Sequence, residues 1–241
     1  MSRTNRVVVI GGGSGMGLEV ARTALADHSE VVIAGRSEER LCAARLSLGE
    51  GRVDSGVLDI GDRAQVAAFF TRVGELDHLV VTAADLPYGP VTGLSERDLM
   101  RAVRSKFLGP VFAVQECSTR IRPGGSITFI SGIAARRPMR GGVAAAAINS
   151  GLEGLVRALA VELAPLRVNA VSPGWTDTTI WDGMAGISEE KKAEMFAAMA
   201  ARLPSGRIGR VEDIAQAVMF LMKNAFVTGT ILDVDGGHRL V

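Results

Sequence analysis

Val7-Val8-Val9-Ile10-Gly11-Gly12-Gly13-Ser14-Gly15-Met16-Gly17-Leu18-Glu19-Val20-Ala21 decides how the rest of the chain is read. Four β-branched residues in succession predict a strand buried on both faces. Leu18 onward begins a helical pattern, so the glycines fall at a strand-to-helix junction. Glycine lets the backbone turn sharply there and approach a ligand closely. The first N–H groups of the helix and the positive end of its dipole would face an anion. Gly11, Gly13, Ser14, Gly15, Met16 and Gly17 are therefore expected to cradle the pyrophosphate of a dinucleotide. A plain glycine-rich loop is the bland alternative.

Outward from this stretch, apolar runs alternate with helical-period segments. Further strands are expected at Val31 to Ala34, Leu79 to Val81, Ile127 to Ile130, Val168 to Val171 and Ile231 to Val234. Helices are expected at Gly17 to Asp27, Glu38 to Leu48, Ala64 to Val73, Glu96 to Ile121, Val143 to Leu163 and Val211 to Lys223. Repeated β-α units with right-handed crossovers predict an α/β fold: one Rossmann-type domain with a doubly wound parallel sheet in a three-layer sandwich. The region 177–210 is the least regular and is expected to form a lid over substrate.

Composition narrows the function classes. The chain has 241 residues, 47% of them hydrophobic, and a formal net charge of +1, so no global basic field argues for nucleic acid. No stretch approaches the ~20 consecutive apolar residues of a membrane span, and no membrane association is expected. The N-terminal apolar run is too short for a signal segment. Cys42 and Cys117 lie far apart within helical patterns, which suggests neither a disulfide framework nor a metal site. A cytoplasmic location is expected.

The second strand ends Ile33-Ala34-Gly35-Arg36-Ser37. A fold of this kind that prefers NAD carries an acidic residue at this strand end for the ribose hydroxyls, whereas an arginine suits a 2′-phosphate. Arg36 and Ser37 offer a guanidinium fork and a hydroxyl, so NADP(H) is expected over NAD(H). Arg36 as a solvated helix-start residue is the alternative.

Several further stretches resemble the short-chain dehydrogenase/reductase family, and the likeness covers essentially the whole chain. Gly11…Gly15-Met16-Gly17 resembles the family's TGxxxGxG, with Ile10 in place of threonine. Leu58-Asp59-Ile60 is similar to the segment whose aspartate binds the adenine amino group, and Asp77 to Ala84 to the strand ending in NNAG. Arg167 to Gly174 matches the stretch before the PG motif, and Thr228 to Gly237 the last strand and its VDGG turn. The resemblance implies cofactor contacts from Asp59, Ile60, Ala83, Ala84, Pro173 and Gly174, with Thr176 and Thr178 holding the nicotinamide carboxamide.

The catalytic set implied by the resemblance, Asn-Ser-Tyr-Lys, does not carry over. The tyrosine position falls on Ala145 and the lysine on Asn149; Tyr88, on a proline-rich loop, is the only tyrosine, so YxxxK is absent by count. The catalytic serine aligns with Gly132, leaving Ser131 adjacent, and the asparagine position falls on Lys106. A lysine there could act as an acid if burial lowered its pKa; solvent exposure, or a tie to a carbonyl across a helix kink, is the alternative. Lys106, Ser131 and Asn149 are the candidate catalytic residues. Arg136, Arg137 and Arg140 would border the cleft and suggest an anionic small-molecule substrate, or else a solvated rim or subunit contact.

Three functions stay open: an NADP(H)-dependent oxidoreductase acting on a small carbonyl or alcohol with an atypical site, a catalytically silent cofactor-binding protein, and a non-redox enzyme on the same scaffold. A homodimer or homotetramer is expected from the alanine-rich helix at Val143 to Ala147 and the long helix after Glu96, which resemble the family's association helices.

Overall fold

The six expected β-branched runs are all strands of one parallel sheet in a computed structural model that describes residues 4–49, 53–178 and 188–241. The strands are β1 (Arg6–Ile10), β2 (Glu30–Gly35), β3 (Val53–Val57), β4 (Leu76–Val81), β5 (Ile121–Ile130), β6 (Arg167–Pro173) and β7 (Ile231–Val234). Their order is β3-β2-β1-β4-β5-β6-β7, so chain direction across the sheet reverses at β1. Val7 pairs with Val31 on one side and His78 on the other. A crevice opens at the carboxyl ends of strands where the order switches, and that is where such sheets bind ligands.

Side chains alternate across the sheet. Val8 and Ile10 join a core with Phe69, Phe70, Val114, Leu152 and Val156, under α3 (Arg63–Val73), α5 (Gly109–Cys117) and α6 (Val143–Glu162). Val7 and Val9 join the opposite core, under α1 (Gly15–Ala26), α2 (Glu38–Leu48) and α8 (Val211–Lys223). Three layers follow directly from this period-two burial. Also described are α4 (Glu96–Val103) and α7 (Glu189–Ala200).

Two departures from the sequence expectation have physical causes. The edge strand β3, Val-Asp-Ser-Gly-Val, was not expected: only Gly56 is buried in it, so it carries no apolar run. The helix expected from Glu96 to Ile121 is broken into α4, a π-helical turn at Arg104–Leu108 and α5, and Ile121 instead opens β5. Pro110 lies in the first turn of α5. Proline lacks an N–H and crowds the carbonyl four residues back, here that of Lys106, and a widened turn relieves this.

Helix α6 has 20 residues and is apolar enough by length and composition to span a membrane. Here it packs on the sheet, with Asn149 and Glu153 in its buried face beside Leu152 and Val156. Of the region 177–210, residues 179–187 lie outside the described residues. The remainder includes α7, whose Phe196 meets Trp175 edge-on at 6.4 Å and whose Lys192 lies 3.3 Å from Asp177.

Candidate functional site

The glycine turn is shaped by close approach. Gly11 has φ +93°, and a Cβ there would lie 2.3 Å from Thr82 Oγ1; a Cβ on Gly17 would lie 2.2 Å from the Gly11 carbonyl oxygen. Helix and strand therefore meet backbone to backbone. A Cβ on Gly13 would meet only ordinary contacts, with Arg40 Cβ at 3.6 Å and Leu41 Cδ2 at 3.7 Å. Ser14 is the N-cap of α1, yet its hydroxyl makes no cap bond, and the first turn holds no acidic residue. Gly15 opens that turn, and Met16 leans on the core between α1 and the sheet. A helix end of this kind can take an outside anion.

The other expected cofactor residues gather at the same end of the sheet. Arg36 follows β2, and its Nη1 donates to Asp85 Oδ2 at 2.8 Å. The Ser37 hydroxyl accepts from the Arg40 N–H as the N-cap of α2. Asp59 lines a cavity of about 730 Å³ with Arg36, Arg101 and Arg104, its Oδ1 accepting from the Gly61 N–H at 2.9 Å. Ile60 differs from expectation: it is 4% exposed in the core against Gly109, so only its backbone remains for a ligand. The Ala83 N–H donates to the Ile10 carbonyl at 3.2 Å, with Ala84 exposed beside it. Pro173 ends β6, and Gly174 approaches Asp235 so closely that a Cβ would lie 2.6 Å from its Cα. The Thr176 hydroxyl donates to the Gly174 carbonyl, and Thr178 is half-buried just beyond.

At the carboxyl end of β5 the structure brings Lys106, Ser131 and Asn149 together around Gly132. Lys106 sits in the π-helical turn, 6% exposed, and its Nζ donates to the Ser131 carbonyl at 3.0 Å. A tie to a carbonyl across a helix kink is the alternative to a catalytic role; the carbonyl met here is instead that of Ser131, at the end of β5. No carboxylate among the described residues pairs with the ammonium, and burial lowers its pKa from 10.5 to about 8. Asn149 is 3% exposed; its Nδ2 would lie 2.9 Å from a Cβ on Gly132, so the amide fills the space where a serine side chain would begin. Its Oδ1 is buried without a hydrogen-bond partner. Ala145 is 1% exposed.

Ser131 is not free to meet a substrate carbonyl: its hydroxyl donates to Glu153 Oε1 at 2.9 Å. Glu153 also takes Arg136 at 3.1 Å, and Arg136 reaches Asp233 at 2.8 Å. Arg136 thus turns inward to carboxylates instead of presenting a row of three cations with Arg137 and Arg140. The sequence reading passed over Glu153, although it stands four residues after Asn149 and so on the same helical face. It also passed over Asp85 and Arg101, since nothing local in sequence links them to Arg36.

A family model described as enoyl-(acyl carrier protein) reductase matches residues 11–239. A short-chain dehydrogenase/reductase of Stachybotrys chlorohalonatus is 34% identical over 99% of this chain and 98% of its own. Among solved structures, a small-chain dehydrogenase in complex with NADPH superposes with a TM-score of 0.85 at 34% identity, covering 99% of this chain and 100% of that one. A reductase/Diels-Alderase from Malbranchea aurantiaca gives 0.92 at 29% identity over 99% and 98%. A short-chain oxidoreductase of Pseudomonas aeruginosa PAO1 with an atypical catalytic centre gives 0.89 at 28% over 97% and 96%.

Proposed function

Because the chain belongs to the short-chain dehydrogenase/reductase family, we propose that it is an NADP(H)-dependent oxidoreductase of a small carbonyl or alcohol, with Lys106 in place of the missing tyrosine as proton donor and acceptor. The carrying observation is the buried ammonium of Lys106, which meets a carbonyl and, among the described residues, no carboxylate. An acid works best with a pKa near the working pH, and burial moves this one toward it.

The residues present fit the cofactor. An uncapped helix end at Ser14 suits a pyrophosphate, and the unpartnered Asn149 Oδ1 suits a donor such as a ribose hydroxyl. Arg36 and Asp59 would hold the adenosine end, and Pro173, Gly174, Thr176 and Thr178 the nicotinamide end. When bound, the dinucleotide supplies or accepts the hydride. Lys106 Nζ would give a proton to the carbonyl oxygen in reduction and take it back in oxidation. The Ser131 carbonyl orients that ammonium, and Glu153 holds Ser131 through its hydroxyl. A second copy of the chain would cover exposed apolar side chains such as Phe226. The Pseudomonas relative supports the view that an oxidoreductase on this scaffold tolerates a changed centre.

One observation favours a second reading. The Malbranchea relative is a Diels-Alderase as well as a reductase, so the same cleft could serve a non-redox reaction. Absorbance at the reduced-nicotinamide band, followed with a panel of ketones and alcohols, separates the two. Lys106→Ala should lower turnover by about 10²–10⁴-fold while NADPH binding persists. Tight NADPH binding with no turnover on any substrate would exclude the oxidoreductase reading.

A further inference from the structure

An ion pair crosses the mouth of the glycine turn. Arg36 follows β2 and Asp85 follows β4, with β1 between them in the sheet, so their 2.8 Å contact passes over the end of β1. A second guanidinium meets the same carboxylate: Arg101 Nε lies 3.2 Å from Asp85 Oδ1. The Asp85 N–H donates to Ser105 Oγ at 3.1 Å, which ties the loop after β4 to the helical segment that carries Arg101. Arg36 and Arg101 share the cavity of about 730 Å³ with Arg63, Arg97, Arg104 and Asp59. Five arginines face two carboxylates, Asp59 and Asp62, along its wall; Arg36 and Arg101 converge on Asp85, and Arg101 also meets Asp98 at 3.3 Å.

Resting on the cofactor reading above and deepening it, we infer that Arg36 and Arg101 are the two arms of a clamp for the ribose 2′-phosphate. Asp85 is the anion that holds the clamp in shape until the phosphate displaces it. A phosphate monoester carries about −1.5 to −2 charge at pH 7 and three acceptor oxygens, which suits two guanidinium forks better than one carboxylate does. The Arg36 and Arg101 side chains are 61% and 49% exposed. Ion pairs this exposed are weak, so exchanging the carboxylate for the phosphate costs little. A dinucleotide without the phosphate leaves the Arg36–Asp85 bridge closed over the turn. Arg101 and Asp85 are therefore specificity-determining residues, of opposite effect.

Calorimetric titration of the full chain with NADPH and with NADH, for the parent, Arg101→Gln and Asp85→Asn, tests this. Arg101→Gln should weaken NADPH about tenfold and leave NADH unchanged, the loss expected for one charge-assisted contact. Asp85→Asn should tighten NADPH several-fold, because it removes a competing and repelling charge, and should leave NADH unchanged. Opposite shifts cannot come from damaged folding. Equal weakening of both dinucleotides by Arg101→Gln overturns the clamp, as does an NADPH affinity indifferent to both variants. Selective loss of NADH in Asp85→Asn would make Asp85 a ribose ligand instead. A parent protein with no affinity for NADPH overturns the cofactor reading itself, a result distinct from these.

Discussion

Replacing Lys106 by methionine separates a buried ammonium from a solvated one. The side chain is 6% exposed, and burial brings its pKa from 10.5 down to about 8. The unfolded chain keeps this proton up to about pH 10.5, whereas the folded protein releases it above about pH 8. Between those values the unfolded state binds more protons, so stability contributed by this site rises with pH and is lost as pH falls toward 8. At about 1.4 kcal/mol per pKa unit, holding the charge costs the folded state about 3 kcal/mol at neutral pH. Methionine matches the length without the charge but forfeits the bond to the Ser131 carbonyl, worth about 1–2 kcal/mol. Lys106→Met is thus expected to be about 1–2 kcal/mol more stable than the parent at pH 7 and equal or less stable near pH 10.5. Urea unfolding of both proteins across that range reads this out. Taking their difference cancels other titrations, such as that of the Cys117 thiol, whose pKa burial raises. A difference independent of pH would place Nζ in water and refute the reasoning.

Two further changes probe the turn and the β5 end. Gly17→Ala drives a methyl to 2.2 Å from the Gly11 carbonyl oxygen; the backbone must shift, so thermal unfolding should show a loss of about 1–3 kcal/mol and NADPH titration a weakened affinity. Unchanged binding there would remove the turn from the cofactor site. Gly132→Ser places a Cβ 2.9 Å from Asn149 Nδ2, so a serine there displaces the amide; about 1 kcal/mol in stability should be lost, and no turnover gained. Adding Asn149→Ala should recover part of that stability, and strict additivity of the two changes in denaturant unfolding would show that the side chains do not compete for space.

The sheet was legible because five of its strands lie inside it and carry β-branched runs, and β7 retains one at the edge. The strand β3 escaped because an edge strand needs no apolar run, and Asp54, Ser55 and Gly56 give it none. The glycine turn could be placed in advance since its geometry is local to Gly11 through Gly17. The break at Arg104–Leu108 is announced by Pro110, although the distance by which the helix widens is set by packing. What sequence spacing could not supply was the partner of each polar group. Ser131 turns to Glu153, 22 residues on, because α6 brings it to the end of β5, and Arg36 to Asp85, 49 residues on, because strand order sets β2 and β4 on either side of β1. Arg136 likewise reads as a free cation until β7 brings Asp233 beside it.

The candidate catalytic positions form one connected cluster, and that bears on what the site can hold. Gly132 gives up a side chain, and the Asn149 amide occupies the space beside it. Lys106 is tied to the carbonyl of Ser131, the residue before Gly132, while the Ser131 hydroxyl is tied to Glu153, one turn beyond Asn149. Among the described residues two polar groups at this spot stay incompletely matched: an ammonium with no carboxylate partner and an amide oxygen with no donor. Each such group destabilises a fold by about 1–3 kcal/mol, and apolar side chains at both positions would relieve it. A cleft without chemistry has no physical use for that burden. A ligand with an acceptor for Lys106 and a hydroxyl for Asn149 satisfies both groups at once, and a carbonyl substrate beside a ribose offers that combination.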